Sequence, residues 1–241
     1  MFNNKKFIIF DMDGTLIDSI GIWNKTDSIL IKELGYIDTI DESFIQKQRD
    51  SKLIEYSKAE NPYINYCEFL GEIYNSPLTS QEILNKRYEI AQNYLINSIK
   101  YKDNVPEFLK LLKANNFRLI IASTTRKSNM DLYCNKNSNI IKSANINDYF
   151  DKIYTREDVN QIKPNPEIYY KILNDFNANK EDCLIIEDSL IGVNAANNAG
   201  IDVIAIYDKY SELEIDEIKN KSKFYFNSYE DMIEYFKKEI K

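Results

Sequence analysis

Four short strings in this 241-residue chain hold side chains that could do chemistry together. Asp11 and Asp13 stand two apart and are followed by Gly14. Ser123, Thr124 and Thr125 form a run of hydroxyls. Lys163 precedes Pro164, and Glu187 and Asp188 are adjacent, just before Ser189. Carboxylates spaced like Asp11 and Asp13 can share out a reaction. One attacks as a nucleophile and can form an acyl phosphate, and the other reaches a leaving group or an attacking water. Asp188 adds a hard oxygen suited to Mg²⁺, which takes one or two carboxylates together with waters and phosphate oxygens. That cation and the Lys163 ammonium would offset the charge of a phosphate, which otherwise repels an attacking carboxylate. Ser123 and Thr124, with nearby backbone amides, can hold phosphoryl oxygens. Gly14 suits a sharp turn where backbone must come close to substrate. The combination fits phosphoryl transfer.

The positioning of these strings depends on the runs that precede them. Residues 6–10 are a continuous apolar stretch, as expected of a parallel strand covered on both faces. Similar runs occupy 117–122, 183–186 and 203–207, with weaker ones at 152–154 and 223–226. Helical spacing lies between them. Val105, Phe108, Leu109 and Leu112 fall at i, i+3, i+4 and i+7, residues 166–176 open with a proline, and 189–199 end at Gly200. The alternation predicts an α/β fold, a doubly wound parallel sheet of Rossmann-like topology. Ligands bind such sheets at the carboxyl ends of the strands, so the topology would bring the four strings to one edge. Each string also has a plain alternative. A strand-end Asp can make a turn, Ser123 can cap a helix, Lys163 can be a solvated loop lysine, and Glu187-Asp188 can favour a helix start through the dipole. Their joint occurrence in order, each after a strand, favours the site.

Residues 19–99 break the rhythm. They hold no convincing strand but several helical patterns, around Trp23 to Leu34, Phe44 to Ile54, Phe69 to Ile73 and Ile83 to Leu95, with Asn61-Pro62 and Ser76-Pro77 read as turns. The expectation is an all-helical cap domain over 19–99 inserted into a core of 1–18 and 100–241; extra helices packed on the sheet are the alternative. The Asn-, Lys- and Ile-rich stretch 135–147 reads as surface and loop.

Composition closes off other chemistry. The chain contains no histidine, which excludes Ser-His-Asp and Cys-His catalysis, phosphohistidine and imidazole-based metal sites. Lys and Arg number 31 against 38 Asp and Glu, for a net charge of -7, which argues against nucleic acid as a partner. Cys67, Cys134 and Cys183 are odd in number and widely spaced, as suits reduced thiols. The apolar run 7–10 is too short for a signal peptide or a membrane span. A cytoplasmic protein without a membrane partner, and monomeric, is expected.

The strings FDMDGTLIDS (10–19), ASTT (122–125), KPNPEIY (163–169) and IIEDSLIGVNAANNAG (185–200) closely resemble the haloacid dehalogenase superfamily of phosphohydrolases. Within it the arrangement is similar to sugar-phosphate phosphatases, phosphoglycolate phosphatases and β-phosphoglucomutases. The resemblance implies Asp11 as nucleophile and Asp13 as acid/base, with the Asp13 main-chain carbonyl on Mg²⁺. It implies Ser123 and Lys163 on the phosphoryl group, Asp188 as a metal ligand and Glu187 acting through a metal-bound water. An aspartate at position 13 favours phosphate over halide chemistry. The β-phosphoglucomutases carry a cap histidine about nine residues after the acid/base. Here Trp23 stands in that neighbourhood, where it could stack on substrate carbons or belong to the core. Gln46-Lys47-Gln48-Arg49 replaces the usual glycine-containing specificity loop. Lys47 and Arg49 could therefore reach substrate oxyanions, or be solvated helix charges. The expected activity is a Mg²⁺-dependent phosphatase of a small phosphorylated metabolite, a sugar or polyol phosphate, held between core and cap. A phosphomutase and a catalytically weak binding protein are the alternatives.

Overall fold

The computed structural model describes residues 1–38, 41–56 and 58–240. Strands β1 (Phe7–Phe10), β2 (Arg118–Ala122), β3 (Lys152–Tyr154), β4 (Cys183–Glu187), β5 (Asp202–Ile206) and β6 (Phe224–Phe226) form one sheet in the order β3-β2-β1-β4-β5-β6. Every pairing is parallel. β1 lies centrally, with Phe7 opposite Arg118 on one side and Cys183 on the other. The chain runs outward from β1 to β2 and β3, then crosses back to β4 on the other side of β1 and on to β5 and β6, so the crevice for a ligand opens at the carboxyl ends of β1 and β4. The expected α/β doubly wound sheet is the observed one.

Strand residues alternate between two apolar layers. Phe7 and Ile9 join Ile120, Ile185 and Val203 in a layer with Ile168, Tyr169 and Ile172 of helix α9 (Glu167–Phe176) and Val193, Ala195 and Ala196 of helix α10 (Leu190–Ala199). On the other face Phe10 meets Phe108 and Phe150 edge to face, and Phe2 packs on Phe236 with ring centroids 4.9 Å apart. Phe108 lies on α5 (Val105–Ala114) and Phe236 on α12 (Tyr229–Glu239), a C-terminal helix that the sequence patterns leave unassigned.

The chain clusters into two compact units, Met1–Ser19 with Ile99–Lys241, and Ile20–Ser98. The second is all helical: α1 (Ile20–Glu33), α2 (Glu42–Glu55), α3 (Pro62–Ile73) and α4 (Ser80–Asn97) enclose Leu30, Ile45, Tyr66, Leu70, Ile83 and Leu84. Asn61 caps α3 by accepting the Tyr63 amide, and Pro62 is its first residue, so that pair starts a helix where a turn was expected. No helix among the described residues is long and apolar enough to cross a membrane.

Residues 135–147 depart from expectation. After α6 (Lys127–Asn135), the chain forms α7 (Ser138–Ala144) and α8 (Ile146–Tyr149), burying Ile140 and Ile146. The asparagines are caps: Asn137, itself buried, accepts the amides of Asn139 and Ile140, and Asn145 accepts that of Asn147. Short helices rely on such caps because their unpaired amides are a large share of the total. The Asn-rich composition reflects this use. With 6 glycines in the chain, asparagine also takes left-handed positions, at Asn4, Asn75, Asn104, Asn116 and Asn177.

Candidate active site

Asp11 is the first residue beyond β1 and is held there by its amide, which donates to Ile186 O at 3.0 Å. The Lys163 ammonium donates to Asp11 Oδ1 at 2.7 Å and to Glu187 Oε1 at 2.9 Å. Lys163 is 6% exposed, so it is no solvated loop lysine. A buried ammonium requires anionic partners, and it has two. Glu187 ends β4, and its other oxygen, Oε2, accepts the amides of Asp188 (2.8 Å) and Ser189 (2.9 Å) and the Ser189 hydroxyl (3.0 Å). Ser189 caps α10 by accepting the Gly192 amide at 3.1 Å. Gly192 leaves room for the Glu187 carboxylate, which a Cβ there would overlap unless it shifted.

Asp188 is buried. Its Oδ1 accepts the Thr15 hydroxyl at 2.6 Å, and its Oδ2 has no hydrogen-bond partner among the described residues. Gly14 makes the turn at φ 87°, a conformation open to glycine, and its amide donates to Ile17 O. Asp13 is partly buried. Its Oδ1 accepts Ser19 Oγ at 2.6 Å and the Tyr133 hydroxyl at 3.4 Å, and its Oδ2 accepts Thr125 Oγ1 at 2.7 Å. Ser123, buried at the end of β2, does not cap the next helix, which begins at Lys127 after Arg126. Ser123 Oγ instead accepts the Thr125 amide at 3.0 Å. Thr124 beside it is exposed.

Electrostatics tie these groups together. Burial raises Asp11 from 3.8 to about 7; Lys163 opposes the rise, while Glu187 and Asp13 add to it. Burial, with Glu187 and Asp11, pushes Asp188 well above the usual carboxylate range. For Lys163, burial alone would depress the ammonium, but Asp11 and Glu187 override it and hold its pKa well above normal. Lys163 is thus shared by Asp11 and Glu187, with the buried carboxylate of Asp188 close by. Carboxylates outnumber the bonded ammonium, and one oxygen of Asp188 has no donor among the described residues.

The structure therefore joins Asp11, Lys163 and Glu187 directly and links Asp13 to Ser123 through Thr125. It fixes Asp188 through Thr15. Asp13 and Glu187 face protein donors, and among the described residues no group of three or more His, Cys, Asp or Glu side chains makes a ready cage for a metal ion. The three residues read as substrate contacts lie in the helical unit. Trp23 is half-buried, with the Arg87 guanidinium 4.8 Å from its ring centroid, and Lys47 is exposed. Arg49 is buried. It donates to Asp27 Oδ2 at 3.0 Å and pairs with Asp50 at 3.4 Å, so its charge serves the interior of that unit.

The family model for haloacid dehalogenase-like hydrolases matches residues 8–206, most of the chain. The chain belongs to that family. Among its relatives, the phosphorylated carbohydrates phosphatase of Thermotoga maritima is 24% identical over 198 residues, covering 82% of each chain. Pyrophosphatase PpaX of Bacillus mycoides is 22% identical over 213 residues, 83% of this chain and 82% of its own. The crystal structure of CbbY from Rhodobacter sphaeroides in complex with phosphate shares the fold at a TM-score of 0.68 and 21% identity, covering 93% of this chain and 94% of that one.

For this haloacid dehalogenase-like hydrolase, sequence reasoning missed the supporting hydroxyls. Thr15 and Ser19 stand inside the FDMDGTLIDS string, and their spacing from the aspartates was an available signal. Thr125 closes ASTT. Tyr133, ten residues past Ser123 on α6, has no signature in the sequence.

Proposed function

We propose that the chain is a Mg²⁺-dependent phosphatase that hydrolyses a small phosphorylated metabolite, a sugar or polyol phosphate, through an aspartyl phosphate on Asp11. The carrying observation is the buried Asp11–Lys163 contact of 2.7 Å at the carboxyl end of the central strand, where a ligand would lie. The family membership supports the reaction class, and the relative named for phosphorylated carbohydrates supports the substrate class.

An Asp11 oxygen attacks phosphorus, and the bond from phosphorus to the ester oxygen breaks. Asp13 delivers a proton to that oxygen as it leaves. Asp13 then accepts a proton from water, whose oxygen attacks the phosphorus, and the bond to Asp11 breaks to release inorganic phosphate. Lys163 balances charge on the nucleophile and on the phosphoryl oxygens. Ser123, Thr124 and the Gly14 turn bind those oxygens. Glu187 keeps Lys163 in place, because its own oxygens are taken up by Lys163 and by the start of α10.

The donorless Asp188 Oδ2, within a site of excess negative charge, fits a divalent cation. Asp188, Asp11 and the Asp13 carbonyl would hold it. When bound, Mg²⁺ supplies positive charge against the phosphoryl group. Asp11→Asn should abolish release of inorganic phosphate from sugar and polyol monophosphates while leaving the thermal transition in place. Retained turnover in that variant would refute the nucleophile.

A further inference from the structure

Asp11 and Asp13 are neighbours in sequence but are held in different ways. Asp11 bonds a buried ammonium, a fixed cation that favours its ionised form against the burial that disfavours it. Asp13 accepts from three hydroxyls: Ser19 and Tyr133 on Oδ1, and Thr125 on Oδ2. An acid/base must alternate between protonated and ionised forms. A fixed cation would hold it in one of them, whereas a hydroxyl can donate to the carboxylate and accept from the acid, turning only its proton.

Thr125 is clamped on both sides. Its amide donates to Ser123 Oγ at 3.0 Å, and its carbonyl accepts the Arg156 amide at 3.0 Å. Its hydroxyl is therefore aimed at Asp13 by backbone that also carries the phosphate-binding Ser123. Tyr133 reaches Asp13 from α6 and is fully buried.

We infer that Thr125 and Tyr133 are positioning residues for Asp13, holding the proton donor at the leaving-group oxygen in register with the bound phosphoryl group. The inference rests on the phosphatase reading and extends it to residues outside the four strings' assigned roles. An alkyl phosphate needs a proton delivered to its departing oxygen, and an activated aryl phosphate does not. Misplacing Asp13 should therefore slow the first far more than the second.

The test measures kcat/KM with Mg²⁺ for glycerol phosphate and for p-nitrophenyl phosphate in the wild type, Thr125→Val, Thr125→Ala, Thr125→Ser and Tyr133→Phe, with a thermal melt of each. Thr125→Val and Thr125→Ala should lose about 10²-fold on the alkyl ester and only a few-fold on the aryl ester. Thr125→Ser, which keeps the hydroxyl, should restore the alkyl rate. Tyr133→Phe, which removes the longer contact, should show the same split at about 10-fold. If either Thr125 variant fails to fold, the other and Tyr133→Phe carry the test. Equal losses on both esters in folded, active variants, or a serine variant no better than alanine, would overturn the assignment. A wild type inert toward both esters would instead overturn the phosphatase reading itself.

Discussion

In the helical unit one carboxylate, Asp27, is shared by two guanidiniums. Arg87 donates to it at 2.5 and 3.2 Å and Arg49 at 3.0 Å, with Asp50 beside Arg49 as a second anion. In the sheet unit one ammonium, Lys163, is shared by Asp11 and Glu187, with Asp188 close by and one of its oxygens donorless. Apart from Asp50, which is exposed at the rim of the first, both clusters are buried, yet they serve different ends. The first pairs two cations with two anions and ties α1, α2 and α4 together, with Arg87 also lying over Trp23 and Tyr63. It is a closed structural network. The second sets the carboxylates of Asp11, Glu187 and Asp188 beside a single bonded ammonium. A buried ion pair alone says little about function; the balance of charge distinguishes a clasp from a site.

Substitutions should separate the two most sharply at Lys163. Lys163→Met should lower kcat for a phosphate ester by about 10³-fold, the loss expected when a preorganised charge is removed from a phosphoryl group. A loss under about 10-fold in initial-rate assays would put Lys163 on the structural side of the comparison. In the helical unit, Asp27→Asn leaves two buried guanidiniums without their shared carboxylate. It should cost about 3–5 kcal/mol in urea unfolding; a change within about 0.5 kcal/mol would mean that the clasp is not closed as described.

The smallest effect carries the opposite sign. In metal-free protein, Asp11 titrates at about 7 when folded against 3.8 as a free side chain. Between those values the folded state binds a proton that the unfolded state has released, so stability falls as pH rises from about 4 to about 7. Asp188 is shifted in the same direction. Mg²⁺ should therefore raise Tm more at pH 8 than at pH 5. Asp188→Asn, which removes one of the crowded carboxylates, should stabilise the metal-free protein at pH 8 by about 1 kcal/mol while losing most of the Mg²⁺ gain. Destabilisation by Asp188→Asn, or an equal Mg²⁺ gain at both pH values, would contradict an excess of buried negative charge.

Strands were legible because both faces of a central parallel strand are covered, so runs such as FIIF and CLII need no context. The same rule placed Asp11, Ser123 and Glu187 at strand ends, since the residue that closes such a run must lie at the sheet's edge. Residues 135–147 were misread because capping by Asn137 and Asn145 is a local hydrogen-bond choice that composition conceals. Arg49 shows the converse failure. Its helix position is consistent with a surface charge, and only the fold reveals Asp27 beneath it.

The linear order of residues determined the class of sheet, the four strings of candidate site residues and their arrival at one edge, because strand period and chain direction are local properties. Tertiary structure alone decided which partner each charge received: Lys163 buried between Asp11 and Glu187, Arg49 turned inward to Asp27, Asp13 handed to the hydroxyls of Thr125 and Tyr133. The energy of a charge depends on its desolvation and on the atoms within a few ångströms, and in the site those atoms come from segments up to 173 residues apart in the chain.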